Sequence, residues 1–231
     1  MTWAWLNEFA WPLLAGFGVT VLVFGVSVFL GFALAVPLAL AQIRGGWLAR
    51  NFARGFCSGL RGTPLLLQLF FLYYGLGSVF AGNAALRDAV PWLIRLDAIW
   101  YVFLAFSLNF AAHEAEVLRG GLLAVSRGEL EAGTSFGFGN LQIVFRIWLP
   151  SACLRIYPVL ASDVIALLKS TPIAFTVPVV DLMAVAQKVT QDRLLIYEPL
   201  LFVGAVYLLT SFVVLRLFAL LERRLPKRWL A

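Results

Sequence analysis

Residues 126–139 read SRGELEAGTSFGFG, a polar stretch set in an otherwise apolar chain. Ser126 stands three residues before Glu129, the spacing of a capping box in which each side chain answers the other's free backbone N–H. Leu130, Thr134 and Phe138 recur every four residues and form one candidate docking stripe. Gly137 follows Phe136 as a C-terminal cap, and Asn140 is expected to start a second short helix ending before Pro150. The reading is of two short helices joined by glycines, a stiff knob presented outside the membrane. Around it, residues 111–150 form the longest region that cannot lie in lipid.

The flanking sequence sets the environment. Of 231 residues, 62% are hydrophobic and 13% charged, with a mean hydropathy of +0.91, too little charge to cover a soluble domain. The apolar runs are long and continuous rather than alternating, which favours helical spans over a barrel. The net charge of +6 does not point to nucleic acid, because the basic residues flank apolar runs and form no separate basic domain. Cys57 and Cys153 suggest neither a metal site nor a disulfide scaffold. Several tryptophans lie near expected span ends, as an interfacial belt requires.

Residues 11–43 carry no charge and no basic residue precedes them, so a permanent span is read rather than a signal peptide. Pro37 is expected to bend its inner end or mark its exit. Arg44, Arg50, Arg54 and Arg61 follow without an acidic residue among them, which marks a cytoplasmic loop. In the next run, RGTPLLLQLFFLYYGLG, Pro64 opens a helix reaching about Phe80. Gln68 inside it must face protein or a cavity, either as a structural hydrogen bond or on the transport path. Residues 81–97 balance two arginines against two aspartates and read as an outer loop with a short surface helix near 84–93.

A third apolar run, 98–112, is short for a crossing, and Ser107 and Asn109 mark a polar face on it. His113, Glu114, Glu116 and Arg119 are then read as opening the long loop, with Glu116 and Arg119 spaced to pair. HEAE lacks the second histidine of a zinc helix, so no metal site is expected. In the fourth region Asp163 and Lys169 interrupt an apolar run. They are six apart and lie on different sides of a helix. A carboxylate at that depth faces a partner, the bundle interior or water, leaving substrate path and structural pairing both open for Asp163. Residues 177–194 read as an outer loop with a short helix. The last span is followed by the basic ERRLPKRW.

The expected organisation is one all-α membrane domain over residues 1–231, with spans near 13–43, 64–80, 96–115, 155–177 and 195–218. A cytoplasmic loop, 116–150, joins the third and fourth. Five spans put the N-terminus outside and the C-terminus inside, in agreement with the arginine bias. No nucleophile–base pattern and no GxxxxGK[ST] is present, so neither a membrane enzyme nor an ATPase is indicated. The physical reading is a transporter subunit energised by a partner, with a channel subunit or a structural membrane protein as alternatives.

Three stretches add a family resemblance. Glu131, Ala132, Gly133, Gly137, Ile147, Leu149 and Pro150 fall in the pattern EAG---G---------IWLP, which resembles the EAA loop of bacterial ATP-binding-cassette (ABC) importer permeases. RGTPLLLQLFFLYYGLG and SDVIALLKSTPIAFTVPVVDL are similar to the polar amino acid branch, so the likeness covers nearly the whole chain. It implies a type I ABC importer permease fold in the bacterial inner membrane, with residues 126–136 docking on a separate ATPase. Ser126, Glu129, Glu131, Ala132, Gly133, Gly137, Leu149 and Pro150 would form or bound that coupling segment. Gly133 replaces the family's usual second alanine and is expected to weaken the helix by about 0.5–1 kcal/mol. Gln68, Asn109, Asp163 and Lys169 are the candidate substrate path.

The resemblance further implies two cytoplasmic ATP-binding subunits carrying ATP and Mg, a second permease identical or related, and an external amino-acid-binding protein. No cofactor is expected on this chain. The likeness is to the histidine, lysine, arginine, ornithine and opine group, which a carboxylate at Asp163 would suit. Glutamine or glutamate is the alternative substrate, and a structural or regulatory subunit without a transport path is the alternative class.

Overall fold

The computed structural model describes residues 5–82 and 96–224, and these are helical throughout their regular elements. The longest helix, α1 (Trp5–Arg44), has 40 residues and runs about 60 Å, twice the thickness of a bilayer's hydrocarbon core. It continues through Pro37 rather than ending there. One stripe of α1 is buried: Gly16, Thr20, Val23, Ser27, Gly31, Ala35 and Ala39. Steps of three and four put these small side chains in one line, where a neighbouring backbone can approach closely.

That neighbour is α5, Ala98–Leu123. Between the two in sequence lie α2 (Trp47–Arg61), α3 (Leu65–Phe70), a π-helical stretch Phe71–Leu76 and α4 (Gly77–Gly82). The arginine-rich segment read as a loop is therefore a helix, and Ala53 and Cys57 are its buried face. Arg54 and Arg61 are exposed, whereas Arg50 is partly buried and donates through Nη2 to the Ile43 and Gly45 carbonyls at 3.4 and 3.2 Å. The helix proposed near 84–93 lies outside the described residues.

Helix α5 runs to Leu123, so His113, Glu114, Glu116 and Arg119 belong to its last turns and do not open a loop. Apolar spacing explains the extension: Ala111, Ala115, Leu118 and Leu122 keep one buried line past the charged residues. The Glu116–Arg119 pair forms as expected, Nε and Nη2 of Arg119 donating to Oε2 at 3.0 and 2.9 Å.

After α6 (Arg127–Ser135) and α7 (Asn140–Ile143) comes a π-helical stretch Val144–Trp148 that leads directly into α8 (Leu149–Ser170). The short helix expected to end before Pro150 does not end there. Pro150 occupies the first turn of α8, a position proline tolerates, and the chain passes through it. A 3₁₀ turn, Thr171–Thr176, closes α8. Helix α9 (Leu182–Arg193) and helix α10 (Tyr197–Glu222) complete the fold.

Among the described residues, three apolar clusters stack along the bundle. Val102, Phe106, Phe110, Val164 and Leu167 lie centrally. Ala112, Leu118, Leu122, Val144 and Trp148 lie at the end bearing α6. Trp5, Phe9, Leu13, Leu182 and Val189 close the opposite end. Cross-links hold the clusters in register. Trp148 Nε1 donates to the Leu122 carbonyl at 2.8 Å beneath the Arg44 guanidinium. At the far end Thr20 Oγ1 accepts from Leu182 N at 3.2 Å while donating to the Gly16 carbonyl.

Among the described residues three helical runs can cross a membrane by length and composition: Trp5–Arg44, Asn140–Thr176 and Tyr197–Glu222, with Leu65–Leu76 a shorter apolar one. Helix α5 is long enough, but Ser107, Asn109, His113 and Glu114 dilute its apolar character. It tolerates them because α1 and α8 cover much of it.

Candidate functional site

Two polar centres stand on this scaffold, one at the α6 end and one beside the central cluster. At the first, Ser126 Oγ accepts from Glu129 N at 3.3 Å, and Glu129 Oε1 accepts from Ser126 N and Oγ at 3.4 and 3.0 Å. The capping box is thus complete. Arg155, on α8, donates through Nη2 to the same Oε1 at 2.7 Å. Burial raises the Glu129 carboxyl, but the bonds from Ser126 and Arg155 outweigh it and hold the group below its ordinary range.

The stop of α6 is equally local. Gly137 has φ 80°, a left-handed position that glycine takes without a Cβ penalty. Phe138 N donates to the Gly133 carbonyl at 3.1 Å and Gly137 N to the Thr134 carbonyl at 2.9 Å. Those two bonds make a Schellman motif and satisfy carbonyls that the helix end leaves open.

Gly133 has a role its helix propensity did not suggest. It is buried, and a Cβ there would lie 2.4 Å from Cδ1 of Ile147. Its bare Cα therefore lets α6 close onto the stretch leading into α8, offsetting the weakness expected of a glycine. Leu130 packs into the same cluster as Val144 and Trp148, and Leu149 joins it, while Pro150 is exposed. Glu131 and Ala132 face outward with Phe136, Leu141 and Phe145, which are 60% to 82% exposed. The stripe of Leu130, Thr134 and Phe138 is split: Leu130 packs inward, whereas the Thr134 side chain bonds back to the Leu130 carbonyl.

The second centre is a cleft of 190 Å³ lined in part by Leu65, Asn109, His113, Asp163 and Ser170. Gln68 lies behind it. Its amide donates to the Leu60 carbonyl at 2.7 Å and to Thr63 carbonyl and hydroxyl at 3.0 and 2.9 Å, and its Oε1 accepts from Asn109 at 3.2 Å. A buried amide is thus fully used in fixing Asn109 at the wall. Of the four path candidates, Gln68 and Asn109 are bonded to each other, and Asn109 and Asp163 share the cleft. Lys169 is exposed and stands outside its lining. One carboxylate, an imidazole, an amide and a hydroxyl around a small cleft are a donor–acceptor set suited to a polar cation.

Two residues have surroundings that the sequence reading did not give them. Glu114 is wholly buried. Its acidic neighbour is Asp163, across the α5–α8 contact. The unbroken apolar spacing of α5 past residue 112 is the signal that would have found it. Arg155 is the other, and nothing local in the sequence pairs it with a residue 26 positions earlier.

Comparison with known proteins gives the class. Residues 27–227 match the family described as binding-protein-dependent transport system inner membrane component, and the chain belongs to that family. It is therefore the membrane permease subunit of an ABC importer, a system in which ATP hydrolysis lies on separate subunits. Among its relatives is the octopine transport system permease protein OccM of Rhizobium radiobacter, 36% identical over 217 residues, covering 94% of this chain and 87% of the relative. The histidine/lysine/arginine/ornithine transport system permease protein HisM of Escherichia coli K12 is 31% identical, covering 97% and 94%. A crystal structure of an amino acid ABC transporter with histidines shares the fold, with a TM-score of 0.81 over 97% of this chain and 99% of that one at 24% identity.

Proposed function

We propose that this subunit passes cationic amino acids or opines across the inner membrane, with the Asp163 cleft on the path and α6 as the coupling helix. The observation that carries the reading is one continuous helical run, Asn140–Thr176, that takes α6 against its start and bears Asp163 in its middle. Relatives named for octopine, nopaline and histidine/lysine/arginine/ornithine transport support the substrate class.

Five crossings accommodate the family assignment: α1, the α3–α4 run, α5, α8 and α10. In that arrangement the α6 end is cytoplasmic, the N-terminus is outside and the C-terminus inside, and Arg44, Arg50, Arg54 and Arg61 lie on the side that arginine bias favours. Residues 116–150 then hold the coupling segment, with Glu131 and Ala132 exposed toward the ATPase. The complex comprises two ATPase subunits binding ATP and Mg, a second permease, identical or related, and an external binding protein.

The test is uptake by the assembled complex in proteoliposomes. Wild type is expected to prefer arginine or lysine over glutamine, and Asp163→Asn to lose about tenfold or more of that preference, as removal of one facing charge implies. An Asp163→Asn variant that keeps its preference for the cations refutes the cleft assignment. Intact-complex mass measurement checks the partners independently.

A further inference from the structure

Helix α6 is joined to its neighbours in sequence only by the short links 124–126 and 136–139. Links of that kind absorb displacement, so a push on α6 reaches the spans only if something firmer connects them. Two contacts do. Gly133 closes against Ile147 near the end of α6. At its start Arg155 reaches back from α8 and grips Glu129 at 2.7 Å. The oxygen it grips is the one that closes the capping box, so the bond is to the helix terminus itself rather than to a swinging side chain. Both side chains are largely covered, with exposures of 23% and 21%, which shields the pair from salt. Both ends of α6 are thus tied to the run Asn140–Thr176.

We propose that Arg155 is a positioning residue for transport: a strut that makes α6 and α8 one rigid body, so that displacement of α6 moves the cleft wall at Asp163. Asp163 stands eight residues beyond Arg155, about 12 Å along the same helix. The proposal rests on the reading of α6 as the coupling helix. It adds what that reading lacks, the connection through which the movement travels.

Arg155 donates to Glu129 through one nitrogen, so a lysine ammonium can replace it, whereas glutamine removes the charge. The experiment uses the assembled complex with its binding protein in proteoliposomes. It measures import of labelled arginine, or of glutamine if wild type carries that instead, per ATP hydrolysed. Co-purification of the ATPase is scored first. Arg155→Gln is expected to retain the ATPase and its basal hydrolysis but to lower import per ATP about tenfold. Arg155→Lys is expected to stay within about twofold of wild type, since charge and reach are kept. Glu129→Gln breaks the same pair from the other side, and the double variant is expected to import no worse than either single one. An unchanged ratio in Arg155→Gln overturns the strut, as do losses that multiply in the double variant or an Arg155 variant that fails to hold the ATPase. A wild-type complex without an ATPase overturns the coupling reading itself, a different result.

Discussion

Helices α5 and α10 are both 26 residues long and both apolar, yet they are opposite in environment. Fifteen residues of α5 are buried, against two of α10, Pro199 and Val203. The difference lies in where the small residues fall. In α5, Ala98, Ala105 and Ala112 repeat every seven, with Ala111, Ala115 and Gly121 beside them, so one face is flat enough for α1 and α8 to close on it. In α10, Gly204, Ala205, Thr210 and Ser211 come in adjacent pairs and build no such face, and Leu208, Leu209, Phe212 and Val213 stand 50% to 69% exposed. Lipid is as apolar as leucine, so side-chain hydrophobicity does not decide which helix is covered. Close approach decides it. The covered helix is also the one that can hold Asn109, His113 and Glu114 at depth.

The strongest way to break this contrast is in the middle of α5. Phe106 is fully buried in the central cluster. Phe106→Ala is expected to cost about 3–5 kcal/mol, toward the lower value because no transfer from water is lost in lipid. Thermal unfolding in detergent checks it, and a cost below about 1 kcal/mol would mean that α5 is not the packed axis.

Next in size is a test at the end where α10 gains its little burial. Asp181 caps α9 through a 2.8 Å bond from Ala184 N, and it is 1% exposed. Burial pushes its carboxyl up from 3.8 to about 6, against the pull of backbone N–H groups. The folded protein therefore keeps a proton that the unfolded chain releases. Stability is highest below the unfolded pKa and falls as pH rises to about 6, by about 2–3 kcal/mol, then levels off. Asparagine still caps a helix, so Asp181→Asn is expected to flatten that slope without losing α9. A variant whose unfolding temperature still falls across the same pH range would place the titration elsewhere.

What could be read from the sequence follows the range of each interaction. Ser126 with Glu129, and Gly137 after Phe136, were legible because the partners lie within one turn. Gln68 was legible as a group needing partners, and Leu60 and Thr63 are near it in sequence, but Asn109 is 41 residues away. The surroundings of Glu114 and Arg155 were missed because their neighbours belong to other helices. Gly133 was read for its propensity, although Ile147 decides its effect. Charge misled twice, turning α2 into a loop and ending α5 eight residues early, since a continuing buried apolar line carries a helix past arginine and glutamate.

The smallest effect is expected on α10, and it bears on the comparison most directly. Leu208 is 69% exposed near the middle of that helix. In water such a side chain would tend to find cover, and truncating it would mark whatever covered it. On a lipid-facing surface Leu208→Ala exchanges one apolar contact with acyl chains for another. Alanine also suits a helix slightly better than leucine. The expected change is within about 0.5 kcal/mol, with transport per ATP unaltered. A loss well above that, seen in the assembled complex and absent from the isolated subunit, would show that a protein partner and not lipid lies against α10. The openness of this helix would then belong to the single chain, and the contrast with α5 would be one of partner: α5 covered from within, α10 by another subunit.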